Sequence, residues 1–143
     1  TAVYYQQNDG YDPSSGGAQQ VTNGVGSLNW PVGQCTSWAN ARYHELMHYW
    51  VSWSGNANQW VAGAQAAGWN VSTTPHVPSI IVLMGGVQGA SSMYGHVAVV
   101  ESQINSNTVH TSNMNWWANG GGWDIVSYVD FTVGPGVYFV WHS

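Results

Sequence analysis

Cys35 is the single cysteine of this 143-residue chain, and it sits where a loop gives way to a helix. Asn29-Trp30-Pro31-Val32-Gly33 carries a proline and a glycine and does not suit regular helix. Thr36-Ser37-Trp38-Ala39-Asn40-Ala41-Arg42-Tyr43 has few breakers and predicts one. Unpaired N–H groups and the positive end of the helix dipole favour an anion at such a start. The expected consequence is a thiol whose pKa is drawn down toward the reactive thiolate. A nucleophilic cysteine also needs a base, and there are six histidines. His96, in Tyr94-Gly95-His96-Val97-Ala98-Val99-Val100, opens a strongly apolar strand and is the expected partner. The competing explanation for a lone cysteine is a small buried hydrophobe.

Further residues fit around that pair. Thr111, Asn113 and Asn115 fall on one strand face by period two, so Asn113 or Asn115 is placed to accept from the imidazole N–H and set its tautomer. Asparagines leading into a turn are the plainer alternative. Trp30, Trp116 and Trp117 lie near these elements in sequence and are candidate walls of a substrate groove, although most tryptophans serve the core. His44-Glu45-Leu46-Met47-His48 matches the zinc-peptidase pattern H-E-x-x-H. At about 100° per residue, however, both histidines point away from the Cys35 side of the helix. No third ligand follows at the usual spacing, so the expectation is a surface pair with no metal. His76 and His142 are expected in a loop and at the exposed terminus.

These residues need elements to hold them. A helix is predicted from Cys35 to about Trp50, with Ala39, Arg42, Leu46 and Trp50 inward. A second runs from Ala57 to Ala67, capped by Asn56 and stopped by Gly68, with Trp60, Val61 and Ala64 as its apolar stripe. Strands are predicted over Ser79–Met84, His96–Ser102, Thr108–Met114, Asp124–Val129 and Val137–Trp141, with turns at Asn105-Ser106-Asn107 and Asn119-Gly120-Gly121-Gly122. Helices followed by an antiparallel run of strands make an α+β fold, with helices packed on one face of a meander. Residues 1–27 are Gln/Asn/Gly/Ser-rich and read as a linker or loosely docked arm, leaving 28–143 as one catalytic domain. Asp9 and Asp12 in that arm are expected to be solvated.

Charge is sparse: one Lys or Arg against six carboxylates, for a net charge of −5. That balance excludes a nucleic-acid binder, which needs a basic face. It also leaves little charge with which to hold an anionic wall polymer. A single cysteine excludes an internal disulfide and a multi-thiolate zinc site. No apolar run is long enough to span a bilayer, and no signal peptide is seen. The neutral polar composition suits an extracellular protein.

At these residues the chain resembles the CHAP family, the cysteine, histidine-dependent amidohydrolase/peptidases of bacterial and phage cell-wall hydrolases. Pro31-Val32-Gly33-Gln34-Cys35-Thr36-Ser37-Trp38 is similar to its nucleophile motif. Gly55-Asn56-Ala57-Asn58-Gln59-Trp60 is similar to its G-N-A-x-x-W helix start, and Pro78-Ser79-Ile80-Ile81-Val82 to its first strand. Gly95-His96-Val97-Ala98-Val99-Val100-Glu101 is similar to its histidine strand. Asn113-Met114-Asn115 falls where the family usually has E-x-N. The resemblance covers about Trp30 to His142, with the motifs in family order.

It implies a papain-like α+β fold of the NlpC/P60 type and hydrolysis of a peptidoglycan amide bond, by an N-acetylmuramoyl-L-alanine amidase or a peptide endopeptidase. Cys35 would be the nucleophile and His96 the base. Asn115 matches the family's Asn, and Asn113 stands in place of its usual Glu. The Cys35 N–H and a donor from Gln34 or Asn29 would stabilise the oxyanion. The acidic calcium loop of some relatives is absent, so no cofactor or metal is expected. Peptidoglycan is the implied partner, with other modules of a longer secreted chain supplying attachment. The implied location is extracellular or in the cell wall. Rival readings are a non-catalytic wall-binding module of this fold and a zinc peptidase using His44 and His48.

Overall fold

The computed structural model describes residues 19–20, 30–31, 33–118 and 120–143. Asn29, the Asp9/Asp12 pair, all but two residues of the 1–27 arm, Val32 and Asn119 lie outside the described residues. Helix α1 spans Cys35–Met47 and follows Gln34, whose backbone is extended. It stops short of Trp50 because His48 takes a left-handed conformation (φ 65°) and returns its N–H to His44 O at 2.7 Å. Asn40 Oδ1 then accepts from Val51 N–H at 2.8 Å, which holds the departing chain back along the helix. Thr36 to Tyr43 are buried without a break, so the first turns of α1 are enclosed on all sides.

The second helical stretch is a 3₁₀ turn, Ala57–Gln59, running into helix α2, Trp60–Ala66. Gln59 Oε1 accepts the Asn56 N–H at 2.8 Å, which satisfies one of the free donors at the start. Trp60 and Ala64 are buried as the apolar stripe requires.

The sheet comprises β1 (Gln19–Gln20), β2 (Asn70–Ser72), β3 (Ser79–Leu83), β4 (His96–Asn105), β5 (Thr108–Asn113), β6 (Ile125–Thr132) and β7 (Val137–Trp141). Their order is β1-β6-β5-β4-β3-β7-β2, with every pair antiparallel. The sequence reading missed β1 and β2, both too short to show a periodicity. It also ended β4 at Ser102 and β6 at Val129. The strands run on to Asn105 and Thr132, leaving Ser106-Asn107 as the hairpin turn. Only β3 to β6 form the expected meander, because β7 joins the far side of β3.

That crossing explains the shape. In a flat sheet, β6 and β7 would stand about 19 Å apart. The link from Thr132 to Val137 reaches only about 17 Å when fully extended, and it contains a turn. The sheet must therefore curl, and register shifts in β4 after Val100 and after Gln103 assist this. Gln88, in the loop after β3, fastens the end of β6 through bonds to Thr132 O at 2.8 Å and Thr132 N at 3.1 Å.

Inside the curl, Ile81, Leu83, Ala98, Val100, Val109, Phe131, Val137 and Phe139 form one core. On the outer face, Ile80, Val82, Val97, Val99 and Val140 pack against Ala39 and Tyr43 of α1 and Trp60 and Ala64 of α2. Strand β3 and the first half of β4, through Val100, are thus buried on both faces, which is why residues 80–83 and 97–100 are continuous apolar runs.

Candidate active site

The loop before Cys35 is fixed by Gly33. Its φ is +99°, and a Cβ there would lie 2.4 Å from Trp123 Nε1. Gly33 O also accepts from Asp124 N–H at 3.2 Å, so the 115–124 segment braces the cysteine loop. Cys35 is then the first residue of α1 and is half-buried. The sulfur meets the backbone N–H groups of Val97, Thr36 and Cys35 itself, each of which favours the thiolate. Burial opposes them and prevails, pushing the thiol pKa up. The expectation of a depressed pKa at the helix start is therefore corrected: loss of water outweighs the N–H donors.

His96 is the first residue of β4, opposite Leu83, and is buried. Gly95 must precede it, since its φ is +72° and a Cβ would stand 2.5 Å from Leu83 O. His96 Nε2 lies 2.8 Å from Asn113 Oδ1. The Asn113 amide nitrogen donates to Thr111 Oγ1 at 3.0 Å, Ser127 O at 3.2 Å and Thr111 O at 3.3 Å. With that nitrogen committed, Oδ1 must be the acceptor, and the network assigns the His96 proton to Nε2 and the lone pair to Nδ1. Burial lowers the His96 pKa to about 4, with the Asn113 bond countering in part. Trp116 packs against the imidazole, ring centroids 4.6 Å apart and tilted by 45°.

Asn115 does not share this role. Strand β5 ends at Asn113, and Asn115 lies beyond it with φ 56°. Its side-chain oxygen accepts from Trp117 Nε1 at 3.2 Å, and its N–H bonds Gly122 O at 3.0 Å. The period-two argument fails there because the strand has already stopped.

Cys35 and His96 line one cleft of about 1050 Å³ together with Gln34, Trp30, Asn115, Trp116 and Trp117. Trp30 is mainly a core residue, packed against Trp60 with ring centroids 5.0 Å apart and tilted by 46°, and its indole N–H donates to Gly55 O at 2.9 Å. Trp117 stands at the rim, 73% exposed. Gln34 Oε1 accepts from the Thr36 hydroxyl at 3.3 Å, leaving its amide nitrogen as the donating end. The sequence reading missed Asn56, Gln88, Ser91 and Tyr94, which also line the cleft. Tyr94 is two residues before His96, and that adjacency was the available signal.

His44 and His48 lie outside the cleft lining. His48 is exposed, whereas His44, expected on the surface, is half-buried and stacked on Trp50 at 3.6 Å. Burial and the neighbouring His48 both lower the His44 pKa. Among the described residues, no three His, Cys, Asp or Glu side chains converge as metal ligands. No helix among them is long and apolar enough to cross a membrane.

The sequence model of the CHAP domain matches residues 23–115. A probable autolysin LDP of Staphylococcus aureus (strain NCTC 8325 / PS 47) is 40% identical over 84 residues, 59% of this chain and 28% of that protein. The staphylococcal secretory antigen SsaA of the same strain is 34% identical over 111 residues, 76% of this chain and 40% of that one. A crystal structure of N-acetylmuramoyl-L-alanine amidase from Staphylococcus aureus matches this fold with a TM-score of 0.69 at 26% identity, covering 96% of this chain and 37% of that one. The chain thus spans between 28% and 40% of the length of these proteins.

Proposed function

The chain belongs to the CHAP domain family, and from that membership we propose that it hydrolyses an amide bond of bacterial peptidoglycan with Cys35 as nucleophile and His96 as base. The observation that carries this reading is the meeting of Cys35 and His96 in one cleft, with the His96 tautomer held by Asn113. Burial raises the thiol pKa and lowers the imidazole pKa, so the resting pair is thiol and neutral imidazole. His96 Nδ1 takes the Cys35 proton as sulfur attacks the amide carbonyl. The Cys35 N–H and the Gln34 amide stabilise the oxyanion. The imidazolium then protonates the leaving amine, and the C–N bond breaks to leave a thioester on Cys35. Water, deprotonated by His96, attacks that thioester and releases the acid.

The relatives named an autolysin and a secretory antigen support a place outside the cell or in its wall. Attachment to the wall falls to other parts of a longer secreted chain. The bond cut is either the glycan–peptide amide or a peptide bond of the stem or cross-bridge. Mass spectrometry of fragments released from purified peptidoglycan tests the reading and identifies the bond. Wild-type protein should release new amine and carboxyl ends, while Cys35→Ala, folded by circular dichroism, should release none. Undiminished release by Cys35→Ala would sink the cysteine mechanism, and wall binding without product from the wild type would leave a binding module.

A further inference from the structure

Among the described residues, the cleft is lined without a single Asp, Glu, Lys or Arg. Besides Cys35 and His96, its polar members are Gln34, Thr36, Asn56, Gln88, Ser91, Tyr94 and Asn115, all amides or hydroxyls able to donate and accept. The scarcity extends beyond the cleft. Arg42 is the only Lys or Arg in the whole sequence. It is buried in α1, where its Nε and Nη2 bond Glu101 at 3.0 and 2.9 Å and its Nη1 bonds Glu45. It is therefore committed away from the cleft. The one cleft side chain that can become cationic is His96, which burial keeps neutral down to a pKa of about 4.

A substrate carboxylate seated in this cleft would thus find no counter-charge, in a protein of net charge −5. Removing a carboxylate from water with only neutral donors and no counter-charge is costly, and the overall field repels an anion as well. A primary amide at the same position has both a donor and an acceptor to offer. The cleft's Asn, Gln, Ser and Tyr groups can satisfy both.

We propose that the cleft selects uncharged, amide-bearing segments of its substrate and discriminates against a free carboxylate beside the scissile bond. This rests on the peptidoglycan reading above, and it makes amidation of the stem peptide a specificity determinant. Specificity comes from the absence of a cation rather than from a particular contact.

The test uses two disaccharide–peptide fragments of peptidoglycan, identical except that the α-carboxyl of the stem glutamate is free in one and amidated in the other. Their dissociation constants for Cys35→Ala are measured at pH 7.5, with Cys35→Ser as a second inactive variant. The amidated fragment should bind about tenfold or more tightly than the acid. Equal affinities, the reverse order, or no binding of either fragment would overturn the proposal. Tyr94 is exposed at the cleft, so Tyr94→Arg introduces a cation there. It should recover affinity for the acid severalfold, and salt should erase that gain. An acid affinity in Tyr94→Arg no better than in the parent variant would count against the proposal. Hydrolysis of the pair by wild-type protein is a separate readout. A binding preference without cleavage would sink the hydrolase reading and leave the cleft's selectivity standing.

Discussion

Asn113 shows how much one amide decides. Its nitrogen faces three acceptors, Thr111 O, Thr111 Oγ1 and Ser127 O, and its oxygen faces His96 Nε2. A carboxylate at this buried position would oppose two carbonyl oxygens, which gives a physical reason for Asn where the family usually has Glu. Asn113→Asp should therefore cost about 1–3 kcal/mol in chemical denaturation. The nearby negative charge should also raise the His96 pKa from about 4. Because His96 must lose a proton to act as base, the acid limb of kcat/KM should move to higher pH in Asn113→Asp. An unmoved limb in a folded, active variant would mean that Asn113 does not govern the imidazole. The placement of Cys35 at a helix start and of His96 at a strand start was legible in the sequence, because a loop-to-helix junction and a Gly-His strand start are local patterns. The choice between Asn113 and Asn115 was not, because it depends on where β5 ends. The direction of the Cys35 pKa was not legible either: the helix start is local, but the burial that overrides it is tertiary.

At the scale of elements, the site depends on α1 being held against β4 and β5. Arg42 is the clamp. It joins Glu101 of β4, whose Oε2 accepts from Ser112 Oγ of β5 at 2.8 Å, and Ser112 Oγ accepts from Trp38 Nε1 of α1 at 3.1 Å. The Arg42 and Glu101 side chains are each 8% exposed, so either one alone would be a poorly solvated charge. Arg42→Met should lower stability by about 3–5 kcal/mol in urea titration. Arg42→Met with Glu101→Met should recover much of that loss, and a double variant as unstable as the sum of its singles would refute the coupling. The far end of the same helix carries His44 and His48, outside the cleft. Replacing both with Ala, or adding EDTA, should leave kcat/KM within about twofold. Strong inhibition reversed by zinc would revive the metal reading of H-E-x-x-H. Helices α1 and α2 and strands β3 to β7 were legible from local patterns, whereas β1 and β2 are too short to show one. The pairing of β7 with β3 was not, since it follows from a sheet curl no local pattern encodes. The stop at His48 also escaped, because Asn40 catches the chain from eleven residues away.

Over the whole molecule, the lowered pKa values of His96 and His44 tie stability to pH. His96 contributes most visibly, being buried and neutral in the fold with a pKa of about 4. Its unfolded value is about 6.5. As pH falls below the unfolded value, the unfolded chain binds a proton that the folded one refuses, so stability declines from about pH 6.5 until the folded value is reached. The loss attributable to this one ring is about 3 kcal/mol at pH 4. His44, also lowered by burial and by His48, acts in the same direction. His96→Gln keeps a donor for Asn113 but cannot titrate. Unfolding free energies from urea titrations at pH 7 and pH 4 should therefore differ less in His96→Gln than in the wild type, by about 3 kcal/mol. Equal pH dependence in the two proteins would show that His96 protonates freely in the fold. It would then be an imidazolium at mildly acid pH, and the acid limb of kcat/KM would fall near about pH 6.5 rather than near the lowered value of about 4.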